Sequence, residues 1–244
     1  MRFYSNLKEA LFETERDLFE MGINVWPKSM QNKDVSHDKS YQTKEMIGYG
    51  FRVNSAGIDE AIVAAAEFHK LPLDMVRLYC LTEHNDRMGA ISTNPGNSYR
   101  IRSEVWEPFL NKQGKFDYTY SERLHALNYF MESTLRNDIA SRQAVASIWR
   151  PLDITDSGGH KRIPCSLSYQ LLVRPENEKL TMHVIYTMRS CDIYTHFGFD
   201  AAMAIMYGTA MAEALPAPIH NVCLTMNIGS LHAYRKDYEP RGVF

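Results

Sequence analysis

The chain has 244 residues, 45% of them hydrophobic and 23% charged, with a formal net charge of −2. That length suits one domain, 1–244, with a sizeable core, and the near-neutral charge offers no basic field for nucleic acid. The four cysteines, Cys80, Cys165, Cys191 and Cys223, show no paired spacing and no metal-ligand spacing with histidine, which points to reduced thiols, no metal and a cytoplasmic setting. The charged N-terminus lacks the apolar core of a signal peptide, and no stretch approaches the roughly 20 apolar residues of a membrane span.

In chain order, Leu7, Leu11, Leu18 and Phe19 fall on helical spacing and stop at Gly22, a favoured helix terminator. Residues 26–44 are polar and read as a loop, and 45–53 as a strand. The segment 58–70 is an amphipathic helix halted before Pro72, followed by a second helix over about 72–85. "STNPGNSYR" is turn-rich, and Leu124, Leu127, Phe130, Met131 and Leu135 mark another helix. Three strands follow: "QAVASIW", then "SLSYQLLVR" and "KLTMHVIYTMR", the last two joined by a hairpin at "PENE". A buried helix over 200–215 and a final strand, "NVCLTMNIGSLHAY", complete an α+β pattern.

Several residues carry chemistry beyond this pattern. Cys165 follows Pro164 at a strand start, where a side chain can project into a cleft. A lone strand cysteine is most often simply packed, but here Arg142, Arg150, Arg162 and Arg189 are near in sequence, and positive charge favours the nucleophilic thiolate. Ser141–Arg142 and Arg189–Ser190 sit at strand ends, and arginine's planar fork of donors suits a phosphate. Given the net charge, two such pairs suggest a phosphorylated small molecule. His232 and Tyr234, two apart on one strand, share a face and offer donors and acceptors to a sugar hydroxyl. Asp200 enters an apolar helix, where a carboxylate either caps the helix or needs a partner.

Taken together, these segments resemble the thymidylate synthase superfamily. "SRQAVASIWRP" is similar to its Ser-Arg-Arg strand, "IPCSLSYQLLV" to its Pro-Cys segment with Gln170 on the same strand, "MRSCD" to its Arg-Ser-x-Asp motif and "IGSLHAY" to its His-x-Tyr motif. "VWEPFLNKQGKFDYTY" resembles the folate-side stretch, with Trp106, Gly114 and Tyr120 in step. The order agrees over about residues 105–234. The resemblance implies a thymidylate synthase-like α+β fold with a large mixed sheet and a sheet-to-sheet homodimer. It implies a nucleotide monophosphate substrate and 5,10-methylenetetrahydrofolate as co-substrate. Cys165 would attack C6 of the pyrimidine. Arg189, Ser190 and Arg142 of the second subunit would hold phosphate, and His232 and Tyr234 the 3′-hydroxyl. Trp106, Tyr120 and Asp192 would serve the folate.

Within that resemblance, Asp200 stands where thymidylate synthases carry Asn. An amide matches uracil's O4 and N3–H, whereas a carboxyl matches the amino group of cytosine and, when protonated, N3 as well. Asp at this place resembles the dCMP 5-hydroxymethylases, in which water adds to the C5 methylene that a methylase would reduce. CMP hydroxymethylation and methylation of dUMP or dCMP are the alternatives, and a non-catalytic nucleotide binder is a third class. A general base is required; Glu67 best matches the local pattern, with Glu60 and Glu83 competing. Gln143 replaces a second Arg, Ser166 a His and His196 a Gly of the family pattern. Lys33 or Lys39 is a candidate to complete the phosphate site.

Overall fold

The computed structural model describes residues 1–30, 33–54, 57–155 and 162–242. In chain order the elements are β1 (Arg2–Tyr4), α1 (Leu7–Met21), β2 (Ile23–Val25), β3 (Ser29–Met30), β4 (Lys33–Asp34), β5 (Thr43–Val53), α2 (Ile58–His69), α3 (Leu73–Met88), α4 (Ser103–Trp106) and α5 (Tyr120–Asn137). There follow β6 (Val145–Ser147), α6 (Leu152–Thr155), β7 (Ser166–Glu176), β8 (Lys179–Asp192), α7 (Gly198–Ala214), β9 (Ile219–Tyr234) and α8 (Arg235–Tyr238). Two of the long helices, α1 and α5, start where the sequence supplies a side-chain cap. The Asn6 side chain accepts from Glu9 N–H at 2.9 Å, and Thr119 and Glu122 form a reciprocal capping box on α5.

The main sheet runs β1-β5-β9-β8-β7-β6, with β2 pairing on β5. It is mixed: β8 and β9 are parallel, β1 is parallel to β5, and the β5–β9, β7–β8 and β6–β7 pairs are antiparallel. The β7–β8 hairpin turns through Asn177 and Glu178, both with positive φ, the geometry that matches strand twist in tight turns. On β8, Met182, Val184, Tyr186 and Met188 alternate into the core; on β9, Leu224, Met226 and Ile228 do the same. The helix layer packs there, with α7 apolar on all sides: Ala201 through Gly208 are all buried. On the other face of the sheet, Leu172, Ile185 and Gln170 remain partly exposed.

The order of the longer strands and helices matches expectation, whereas the short strands β1 to β4, two of them inside the expected 26–44 loop, and the short helices α4, α6 and α8 were not expected, and three further differences stand out. The predicted strand at 143–149 pairs only over Val145–Ser147, at the sheet edge. β8 continues past Arg189 to Asp192, held by pairing with β9 through Asp192 and His232. A single wide turn, Ile193–Phe197, then leads into α7 at Gly198, so Asp200 is the third helical residue and not its cap.

Candidate active site

The cleft opens where α7 begins. Ser190 and Asp192 continue the side-chain face of Met182–Met188 along β8, and His232 and Tyr234 that of Leu224–Ile228 along β9. Since β8 and β9 run parallel, both strand ends reach the same mouth. The cavity has about 670 Å³ of room, within the range of small-molecule sites. It is lined by Cys165, Arg189, Ser190, Asp192 and Asp200, and also by His232, Tyr234 and Trp106.

Cys165 is partly exposed, unlike Cys80, Cys191 and Cys223, which are buried. Its sulfur lies 3.6 Å from Ser190 Oγ and 3.8 Å from Arg189 Nη2. Arg189 is fixed by its own donors: Nε to the Pro164 carbonyl at 2.9 Å and Nη2 to the Ile163 carbonyl at 3.1 Å. Its main-chain N–H donates to the Cys165 carbonyl at 2.8 Å. The cation and the sulfur are therefore locked together through the backbone of the segment that carries the cysteine.

Asp200 faces the cleft from the first turn of α7. Among the described residues none hydrogen-bonds its carboxyl. Burial pushes that carboxyl up to about 7; the Arg87 guanidinium pulls it down and Glu83 pushes it up. The group is poised to exist as acid or carboxylate near neutrality. Asp192 is engaged locally, accepting from Tyr194 N–H at 3.1 Å and Thr195 Oγ at 2.6 Å.

The folate-side expectation divides. Trp106 stacks on His196, ring centroids 5.0 Å apart, and burial with the Arg102 and Arg162 charges holds His196 well below the usual imidazole range. Both rings line the cleft. This flat neutral pair fits an aromatic co-substrate. Tyr120 instead lies behind the cleft: its hydroxyl and that of Tyr186 both meet Ser166 Oγ, the first at 3.0 Å. Ser166, the residue after Cys165, thus joins the hydroxyls of Tyr120 and Tyr186.

Three further assignments change on the structure. Glu67 does not reach the cleft; it is exposed on α2, where Lys8 Nζ meets it at 2.8 Å. Helical phase turns it toward α1. Glu60 is spent on the Gly57 N–H at the start of α2, 3.4 Å away. Glu83 is the interior carboxylate, its side chain 13% exposed, ion-paired to Arg87 and acting on Asp200. Gln170 also misses the cleft; from the far sheet face it donates to the Arg142 carbonyl at 3.1 Å. Arg142 is exposed beside it, away from its own chain's cleft. Lys33 lines the cleft and Lys39 does not, while Lys236, which the sequence reading missed, lines it with its ammonium 4.6 Å from the Tyr41 ring centre.

The sequence profile of the family described as thymidylate synthase matches residues 92–241. The chain belongs to the thymidylate synthase family. That family consists of one-carbon transferases that use methylenetetrahydrofolate and bind a nucleotide monophosphate. Among solved structures, the thermostable thymidylate synthase A from Bacillus subtilis superposes with a TM-score of 0.62 at 15% identity, covering 96% of this chain and 82% of that one. The fold is thymidylate synthase-like. No curated protein sequence matches the chain. Among the described residues no helix is long and apolar enough to cross a membrane.

Proposed function

We propose that this single-domain chain is a cytoplasmic, homodimeric one-carbon transferase that converts dCMP to 5-hydroxymethyl-dCMP with methylenetetrahydrofolate. The observation that carries the reading is Asp200: a half-buried carboxyl lining the same cleft as Cys165, pushed up to about 7 by burial. It accepts from the exocyclic amine of cytosine in either form and, when protonated, donates to N3; as the carboxylate it is acceptor-only and has no donor for O4 of uracil.

In this reading the Cys165 sulfur adds to C6 of the base and makes C5 nucleophilic. The folate supplies the one-carbon unit. Arg189 and Ser190 hold phosphate beside the sulfur, with Lys33 at the cleft edge and Arg142 from a second copy. Gln170 positions Arg142 through its main-chain carbonyl. His232 and Tyr234 meet the sugar, and Trp106 with His196 provides a platform for the folate ring. Glu83 is the proposed general base that readies the water adding to the C5 substituent; it lines the cavity that adjoins the cleft at Trp106 and Arg162, whereas Glu67 lies on the exposed face of α2. Half-exposed apolar residues on the far sheet face, Leu172 and Ile185, support a sheet-to-sheet dimer.

The test is incubation with methylenetetrahydrofolate and, separately, dCMP, CMP and dUMP, with mass analysis of the nucleotide. A gain of about 30 mass units on dCMP, the added CH2O, is expected; a gain of about 14 means methylation and overturns the hydroxymethyl reading. A preference for CMP would move the substrate to the ribonucleotide.

A further inference from the structure

The turn from which Asp200 projects is gripped from behind by a side chain outside the cleft. His69, the last residue of α2, is 5% exposed. Its Nδ1 lies 3.0 Å from the Tyr194 carbonyl and its Nε2 3.2 Å from the Gly198 N–H. A carbonyl only accepts and an amide N–H only donates, so the proton must sit on Nδ1 and Nε2 must be a bare lone pair. One imidazole thereby spans the Ile193–Phe197 turn, tying its second residue to the first residue of α7. Burial and the Arg102 charge keep the ring neutral, with a pKa of about 3. Its face stacks on Phe199 at 4.6 Å, immediately before Asp200.

Gly198 is matched to this contact: a Cβ there would stand 2.9 Å from His69 Nε2 and 3.3 Å from the Ala65 Cα. Arg102 grips the same turn from the opposite side, donating to the Thr195 carbonyl at 3.0 Å with its guanidinium 4.3 Å from the Phe199 ring centre.

We propose that His69 is a positioning residue for base recognition: its two hydrogen bonds fix the turn between β8 and α7 and so set the aim of the Asp200 carboxyl at the base edge. Cys165, on a different strand and held by Arg189, lies outside its grip. The inference rests on the reading of Asp200 given above. It requires that loosening the clamp degrade the choice between cytosine and uracil more than it degrades the thiol.

The test compares wild type with His69→Phe, which keeps a stacked ring and loses both hydrogen bonds, and His69→Gln, a milder change that keeps an amide donor and acceptor. The ratio of kcat/KM for dCMP over dUMP is measured alongside the rate at which iodoacetamide modifies Cys165. His69→Phe is expected to lower the ratio about tenfold, equivalent to about 1.4 kcal/mol, with thiol modification unchanged and His69→Gln intermediate. A ratio within about twofold of wild type in either folded variant overturns the inference, as does a thiol rate that falls in step with the ratio. If His69→Phe fails to fold, His69→Gln alone decides on the same criterion. A wild type with no preference for dCMP would instead overturn the Asp200 reading, and the positioning role with it.

Discussion

The two halves of the site are built differently. The strands β7, β8 and β9 deliver Cys165, Arg189, Ser190, Asp192, His232 and Tyr234 in short contiguous motifs. On the helical side, α2 through α4, Trp106 lines the cleft itself, while Glu83, Arg87, His69 and Arg102 stand behind it, at positions scattered over some forty residues and each aimed by packing. A strand projects its side chains with period two, so spacing alone says which residues share a mouth. A helix offers one face in several directions, and which direction meets the cleft depends on what packs behind it. The family profile begins at residue 92, so Glu83, Arg87 and His69 all fall before the recognisable stretch.

The sharpest test of the strand half is Cys165, its proposed nucleophile. Cys165→Ser is expected to lower product formation by about 10³-fold or more while the thermal melt stays near wild type. Activity within tenfold of wild type would remove the sulfur from the reaction.

Next comes the helical half, through a paired comparison. Glu83→Gln, which keeps a hydrogen-bonding partner for Arg87, is expected to cost about 10²-fold or more in kcat. Glu67→Gln, on the surface beside Lys8, is expected to change kcat less than twofold and stability by no more than about 0.5 kcal/mol. The reverse ranking would restore the base to α2.

Asp200→Asn joins the two halves, because the residue stands at the junction of β8 and α7 and is acted on by α3. The dCMP-over-dUMP ratio of kcat/KM is expected to fall about ten- to a hundredfold, as one charged or neutral donor–acceptor match is inverted. Unchanged discrimination would dissolve the account of the base edge.

The smallest effect is on stability against pH, where the same two halves oppose each other. Asp200 binds a proton in the native state between about pH 4 and 7 that the unfolded chain has released, so its contribution is lost as pH rises through that window. His69 is the converse: the unfolded chain gains a proton between about pH 6.5 and 3 that the buried ring refuses, so its contribution is lost as pH falls. In melting curves taken across pH 4–8, Asp200→Asn is expected to flatten the decline on the alkaline side and His69→Phe the decline on the acid side.

Much of the fold was legible because its longer strands alternate cleanly and a helix end such as Gly22 announces itself. The site was legible wherever a motif lay on one strand. It was not where function required two elements to meet. Glu67 suits the local pattern better than Glu83 does, and only the rotation of α2 onto α1 turns it away from the cleft. Tyr120 has the right spacing but its hydroxyl is taken by Ser166. Gln170 lies on β7, which starts just after Cys165, yet it faces the side of the sheet away from the cleft. The clamp at His69 left no trace at all, since a histidine at a helix end before a proline reads as a cap.

The parallel pairing of β8 with β9 has one more consequence. Parallel neighbours cannot be joined by a tight hairpin; the chain must travel back along the sheet, and α7 is the return path. The return helix has to start at the same rim where β8 stops, so Asp200, the residue proposed to read the base, stands on the connection the topology demands. A circular permutant with new termini between Asn177 and Glu178 should therefore keep its ligand preference, whereas one opened at Thr195 should fold around an indifferent pocket.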